Sequence, residues 1–176
     1  MNVKDVQVFS KMKLLLSLRE KKNVILKKEN IIYLFTILII FLFDRYSKTQ
    51  VINKLERTYY FNDYLNFDLV WNTGIGFGIL SQSSNLFYNL ISIIIGLVIV
   101  FLIYYVFFEK IREKFIFSII IGGAIGNFYD RMVFKAVPDF IDLHYKDFHW
   151  FTFNIADVFI TLGIAMYIII GVAEKK

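Results

Sequence analysis

The chain of 176 residues has no cysteine, one proline and only two histidines. The missing cysteines exclude disulfides, thiolate zinc sites and cysteine nucleophiles. Both histidines, His144 and His149, fall in one loop, so no Ser-His-Asp or Cys-His arrangement is available. Their spacing fits no strong metal template. No glycine loop of the phosphate-cradling kind follows a strand. Internal repeats and low-complexity linkers are absent. Charge is scarce as well, at 20% of residues, against 57% hydrophobic and 19% aromatic. That balance is high in apolar residues for a soluble domain of this length and ordinary for a protein that faces lipid.

Four apolar stretches, about 31–52, 86–108, 115–134 and 155–173, approach the ~20 residues that cross a bilayer. The first is too long for a cleaved signal peptide, and Asp44-Arg45 stand where small residues would mark a cleavage site. Lys and Arg concentrate before the first span, between the second and third, and at the C-terminus. The positive-inside rule then puts both termini in the cytoplasm and the segments at 53–84 and 135–154 outside. Residues 1–30 form a basic cytoplasmic segment. Its first 28 residues read either as a helix on the cytoplasmic leaflet, using Val8, Phe9, Met12 and Leu15, or as a loose basic tail. The rest is a single membrane domain, 31–173.

Ionisable residues inside spans are costly and mark function or a buried partner. By helical rise, Asp44 lies roughly 20 Å above the inner end of the first span. Asn127, Asp130 and Arg131 lie about 18–24 Å up the third. Asp157 sits in the first turn of the fourth, which enters from outside, and Asn72 and Asp139 come from the outer segments. Asp44/Lys48, Asn127/Asp130 and Asn154/Asp157 each share a helix face. Polar groups thus converge at one level, as chemistry on a substrate held at the outer surface requires. An ion path would need them at several depths.

Each residue also has a purely structural reading. Asn154 and Asp157 suit a helix cap, Asp44 with Lys48 a self-neutralising pair, and Asp130 with Arg131 an ion pair. Asp139, after Pro138, suits a turn. Gly122, Gly123 and Gly126 suit close helix packing. Residues 58–80 read as an outer β-sheet, with Leu65, Phe67, Leu69 and Trp71 on one face, a turn at Asn72-Thr-Gly74, and Ile75, Phe77 and Ile79 resuming the alternation. The aromatics of 135–154 suit an interfacial lid. The chemistry left to these residues is that of paired carboxyls sharing a proton, which hydrolyse a peptide bond without metal or covalent intermediate.

Four segments carry a resemblance: Asp44-Arg-Tyr-Ser-Lys48, Asn72-Thr-Gly-Ile-Gly-Phe-Gly78, Gly122-Gly-Ala-Ile-Gly-Asn-Phe-Tyr-Asp-Arg131 continuing to Val137-Pro-Asp-Phe-Ile141, and Phe153-Asn-Ile-Ala-Asp157. In order and spacing, over residues 31–173, the chain resembles the lipoprotein signal peptidases, or signal peptidase II. The resemblance implies an all-α integral membrane fold, a four-transmembrane-helix bundle with a small extracytoplasmic β-sheet and an interfacial loop or helix. It implies that Asp139 and Asp157 are the catalytic pair and that Asn72, Asn127, Arg131 and Asn154 line the site. Asp44, Lys48, Asp130 and Gly74 are implied as supporting residues. The implied substrate is a diacylglyceryl prolipoprotein in the bacterial inner membrane, cut before its lipidated Cys. The implied enzyme is a monomer amid membrane lipid, without cofactor, metal or nucleic acid, and a target of globomycin. Pro138 departs from the family, where an aliphatic residue is common, and the N-terminal segment is longer than usual. A transporter using intramembrane carboxylates, and a non-enzymatic membrane interaction protein, are the competing readings.

Overall fold

The computed structural model describes residues 28–74, 85–106 and 111–174. The N-terminal helix or tail considered for residues 1–28 lies outside them save for Lys28, and so does the strand expected at 75–80.

The burial pattern is inverted relative to a soluble protein. Large apolar side chains such as Phe35 (61% exposed) and Phe101 (60%) face outward, while Asp44, Lys48 and Asp130 are at 0%. Hydrocarbon solvates the first group as well as a core does, and the second group must be satisfied inside. Among the described residues four long helices carry this pattern. Helix α1 spans Lys28–Lys54, α2 Asn85–Val106, α3 Ile111–Phe134 and α4 Ile155–Ala173. Within them, Asn30–Lys54, Tyr88–Val106 and Ile155–Ala173 are long and apolar enough to cross a membrane. Helix α3 carries charged residues at both ends, Glu113 and Lys114 at its start and Asp130 and Arg131 near its finish, and packs against the other three.

Two glycines let α3 approach so closely. A Cβ on Gly122 would come within 2.8 Å of the Ile40 Cβ on α1, and one on Gly123 within 2.6 Å of the Ala156 carbonyl on α4. Side chains smaller than alanine at these points bring backbones together, the expected role of the glycine run.

A sheet closes the bundle end where α1 and α3 finish and α4 begins. Strands β1 (Tyr59–Asn62), β2 (Leu65–Asn72), β3 (Val137–Tyr145) and β4 (Phe148–Phe153) pair antiparallel in that order. The chain leaves α3 through Lys135 at φ 57°, a left-handed residue of the kind that terminates helices. A second left-handed residue, Lys146 at φ 54°, turns β3 into β4.

Three expectations need correction here. The second outer segment is a β-hairpin, not a loop or interfacial helix. Val137 to Phe140 are consecutively buried, so the strand start lacks a period of two. Asp139 accordingly stands on a strand rather than a turn or loop. The single apolar face expected from Leu65 to Trp71 is broken by a bulge between Phe67 and Val70, which shifts the register against β3. Pro138 fits this arrangement. It pairs with Trp71 on one side, and β4 joins β3 only from Ile141 onward, so its missing N–H falls where β3 has one neighbour.

Candidate active site

Two groups of carboxylates occupy the sheet end of the bundle, and their partners differ in kind. The first group is neutralised. Asp44 and Lys48 share a face of α1 and meet at 3.0 Å. Lys48 Nζ also lies 2.7 Å from Asp130 Oδ2. Arg45 forks onto both oxygens of Asp130 at 2.5 and 2.8 Å and reaches Asp44 at 2.9 Å. Its guanidinium rests on the Tyr129 ring, 4.9 Å from the centroid. Two cations thus balance two carboxylates, the condition for keeping four charges out of water. Asp44 uses its other oxygen to accept the Ala156 N–H at 3.0 Å, tying α1 to the first turn of α4. Gly126 makes room: a Cβ there would lie 2.5 Å from Asp44 Oδ2.

The pair expected between Asp130 and Arg131 does not form. Successive helix residues point about 100° apart, and Arg131 instead donates to the Asn127 carbonyl and the Gly74 carbonyl, both at 3.2 Å. Arg45, absent from the sequence-derived site, takes its place beside Asp130. Charge counting could have found it, because Asp44 and Asp130 buried against Lys48 alone are one cation short.

The second group, Asp139 and Asp157, is held by neutral amides and, among the described residues, has no ion pair. Asp139 accepts from Asn72 Nδ2 at 2.9 Å and Asn154 Nδ2 at 2.6 Å. Asp157 accepts from Asn127 Nδ2 at 2.7 Å and from the Asn154 backbone N–H at 3.2 Å. Asn154 caps α4, with its Oδ1 accepting the Asp157 N–H at 3.1 Å. The capping reading therefore holds, and the same residue bridges the two carboxyls, donating to Asp139 from its side chain and to Asp157 from its backbone N–H. Asn72 is fixed from the far side by the Gly74 N–H, which it accepts at 2.9 Å. Both carboxyls line one cavity of about 400 Å³ between β4 and α4, otherwise walled mainly by apolar groups including Phe151, Phe153, Val158, Ile160 and Leu162.

Burial, and then the charge of Asp157, push the Asp139 carboxyl up to about 6. The hydrogen bonds from Asn72 and Asn154 and the field of Lys48 oppose that rise. Two acids on one cavity, with amides that add no charge, are most cheaply accommodated with one proton between them. Such a pair can draw a proton from water and donate one to a carbonyl.

The histidines stand apart from this site. His149 Nδ1 lies 2.7 Å from Asp142 Oδ2 and its ring stacks on His144. Among the described residues no three metal-ligating side chains converge.

Residues 36–173 match the family model described as signal peptidase (SPase) II. The lipoprotein signal peptidase of Pelagibacter ubique is 45% identical over 141 residues, covering 78% of this chain and 85% of that protein. That of Francisella tularensis subsp. novicida is 35% identical over 153 residues, covering 82% and 93%. Two solved structures of a bacterial membrane enzyme superpose with TM-scores of 0.68 and 0.63, each at 28% identity, covering 82% and 78% of this chain and 89% and 90% of theirs. With lipid-facing helices, a capping sheet and these matches over most of its length, this bacterial membrane protein belongs to the lipoprotein signal peptidase family, signal peptidase II.

Proposed function

We propose that the protein is a membrane-embedded aspartic endopeptidase that removes the signal peptide from diacylglyceryl-modified prolipoproteins, cutting just before the lipidated Cys. One observation carries this reading: two buried carboxyls, Asp139 and Asp157, share a cavity and are held by amides rather than by cations. In the proposed topology all four helices span the bacterial inner membrane, both termini are cytoplasmic, and the sheet lies at the outer face. Residues 31–173 act as one membrane domain and a monomer, with 1–30 as a basic cytoplasmic segment.

The scissile carbonyl enters beside the carboxyls while the lipid stays in the bilayer. The charged carboxylate takes a proton from water, whose oxygen attacks the carbonyl carbon. The protonated carboxyl donates its proton to the carbonyl oxygen; the C–N bond then breaks as the leaving nitrogen takes the proton drawn from water, and the re-forming carbonyl returns the other proton to its carboxyl. Asn154, Asn72 and Asn127 aim the two carboxyls, and Arg131 holds the Gly74 carbonyl two residues beyond Asn72. The apolar cavity wall suits the hydrophobic signal segment or the acyl chains. Nothing in this sequence of steps calls for a metal or cofactor.

Purified protein in detergent is expected to cleave a diacylglyceryl prolipoprotein, to spare the unlipidated precursor, to be blocked by globomycin and to ignore chelators. Equal cleavage of the unlipidated form, or none of the lipidated one, would remove this function.

The pH dependence follows from the raised Asp139 carboxyl. The proton it offers is fully present well below pH 6 and is lost as pH rises through about 6. The alkaline limb of kcat/KM is therefore expected near pH 6, falling about tenfold per unit beyond it. The same shift stabilises the fold below the ordinary carboxylate range near pH 4 and is lost between there and about pH 6. Thermal unfolding of Asp139→Asn should lack that slope. A kcat/KM profile flat from pH 5 to 8 would contradict the assignment.

A further inference from the structure

We propose that Lys48 is a positioning residue that acts through Asn127 to keep Asp157 as the charged member of the pair, leaving Asp139 as the one that carries the proton. The inference rests on the aspartic protease reading and assigns the two roles within it.

The geometry runs in a line. Lys48 Nζ donates to Asn127 Oδ1 at 2.8 Å, and Asn127 Nδ2 donates to Asp157 Oδ1 at 2.7 Å. An ammonium has only donors, so the Asn127 oxygen must face it and the amide N–H must face Asp157. A cation on the amide oxygen also polarises that N–H and strengthens its bond to a carboxylate. The amide therefore stabilises the ionised form of Asp157.

Lys48 can do this because its charge is already balanced. Arg45 and Lys48 meet Asp44 and Asp130, which leaves one Lys48 donor aimed out of the cluster. The cluster also holds the backbone beside that carboxyl, since Asp44 accepts the Ala156 N–H one residue before Asp157. Asp157 is also the third residue of α4, where the helix N-terminus favours negative charge. Asp139, on a strand, has neither the helix terminus nor a cation-backed amide. The charged groups around Asp157 are Asp139 from β3, Asp44, Arg45 and Lys48 from α1, and Asp130 and Arg131 from α3. Among them the link through Asn127 is specific to Asp157.

The test compares the parent enzyme with the charge-balanced double variant Lys48→Met/Asp130→Asn, with Asn127→Ala, and with all three changes combined, using the cleavage assay as a function of pH. Each is expected to lower kcat about 30-fold with KM within twofold. The acid limb of kcat, which reports the base, should move up by about one pH unit. Since one relay is broken in either case, the triple variant should be no slower than the slower of the two. An unmoved acid limb in protein that keeps a cooperative thermal transition would overturn the proposal, as would multiplicative losses in the triple variant. If the Lys48 variant does not fold, Asn127→Ala decides by its limb alone. Parent protein that fails to cleave, or that cleaves without Asp139, defeats the protease reading itself and the relay with it. A parent requiring both aspartates while the relay variants keep its profile defeats only the relay.

Discussion

Asp139→Asn and Asp157→Asn are each expected to lower the rate of prolipoprotein cleavage by about four orders of magnitude, as loss of one member of a catalytic unit does. Asparagine matches the carboxyl in shape but can neither take a proton from water nor release one to the carbonyl. Either variant removes both halves of the exchange, so the double variant should be no slower than the singles. The structure supplies a control for folding. Asn154 and Asn72 approach Asp139 through Nδ2, and an asparagine there can still present an oxygen to one of them. Burial disfavours the charged form of Asp139, so Asp139→Asn should unfold no earlier than the parent at neutral pH. Single-turnover assays with a lipidated precursor, beside thermal unfolding in the same detergent, separate chemistry from stability. Turnover within tenfold of the parent in either variant would dissolve the pair.

Asp130→Ala should be the most damaging change to the fold itself. Asp130 is fully buried and accepts from Arg45 and Lys48. Truncating it leaves two cations facing Asp44 alone. An uncompensated buried charge costs roughly 3–5 kcal/mol, and for a chain of this size that lowers Tm on the order of 10 °C. Activity should fall with it, because the same cluster carries the Ala156 tie to α4. Restoring neutrality should restore stability: Asp130→Asn combined with Arg45→Gln removes one charge of each sign and is expected to recover more than half of the lost Tm. If Asp130→Ala melts with the parent, the cluster is not a balanced unit. Arg45, fifteen per cent exposed at its side chain, can lean toward water more readily than fully buried Lys48, so Lys48 changes should cost more than Arg45 changes.

An ion-conducting role would need polar groups strung along the bundle axis. The clustering of Asp44, Lys48, Asp130, Asp139 and Asp157 at the sheet end argues for chemistry at one level instead. Asp157, Asn154 and Asn127 show how structural and chemical readings coexist. The capping box at the start of α4 is real, and Asn154 uses its remaining Nδ2 to hold Asp139.

Helix spacing, charge placement and hydropathy are local properties, so the long apolar segments and the level of Asp44, Asn127, Asp130 and Asp157 were readable along the chain. The glycine run was readable too, because only a missing side chain allows the contacts at Gly122 and Gly123. Pairing was not, because it depends on how each helix is rotated about its axis. Asp130 turned to Arg45 and Lys48 rather than to its neighbour Arg131. Nor was the β3–β4 hairpin legible, since Val137 to Phe140 are covered on both faces and show no alternation. Sequence alone determined which residues gather at one end of the bundle, through the cost of burying charge in hydrocarbon. Tertiary structure alone decided which carboxylates meet cations and which meet amides, because that choice is made by atoms from α1, α3, α4 and the sheet converging within hydrogen-bonding distance.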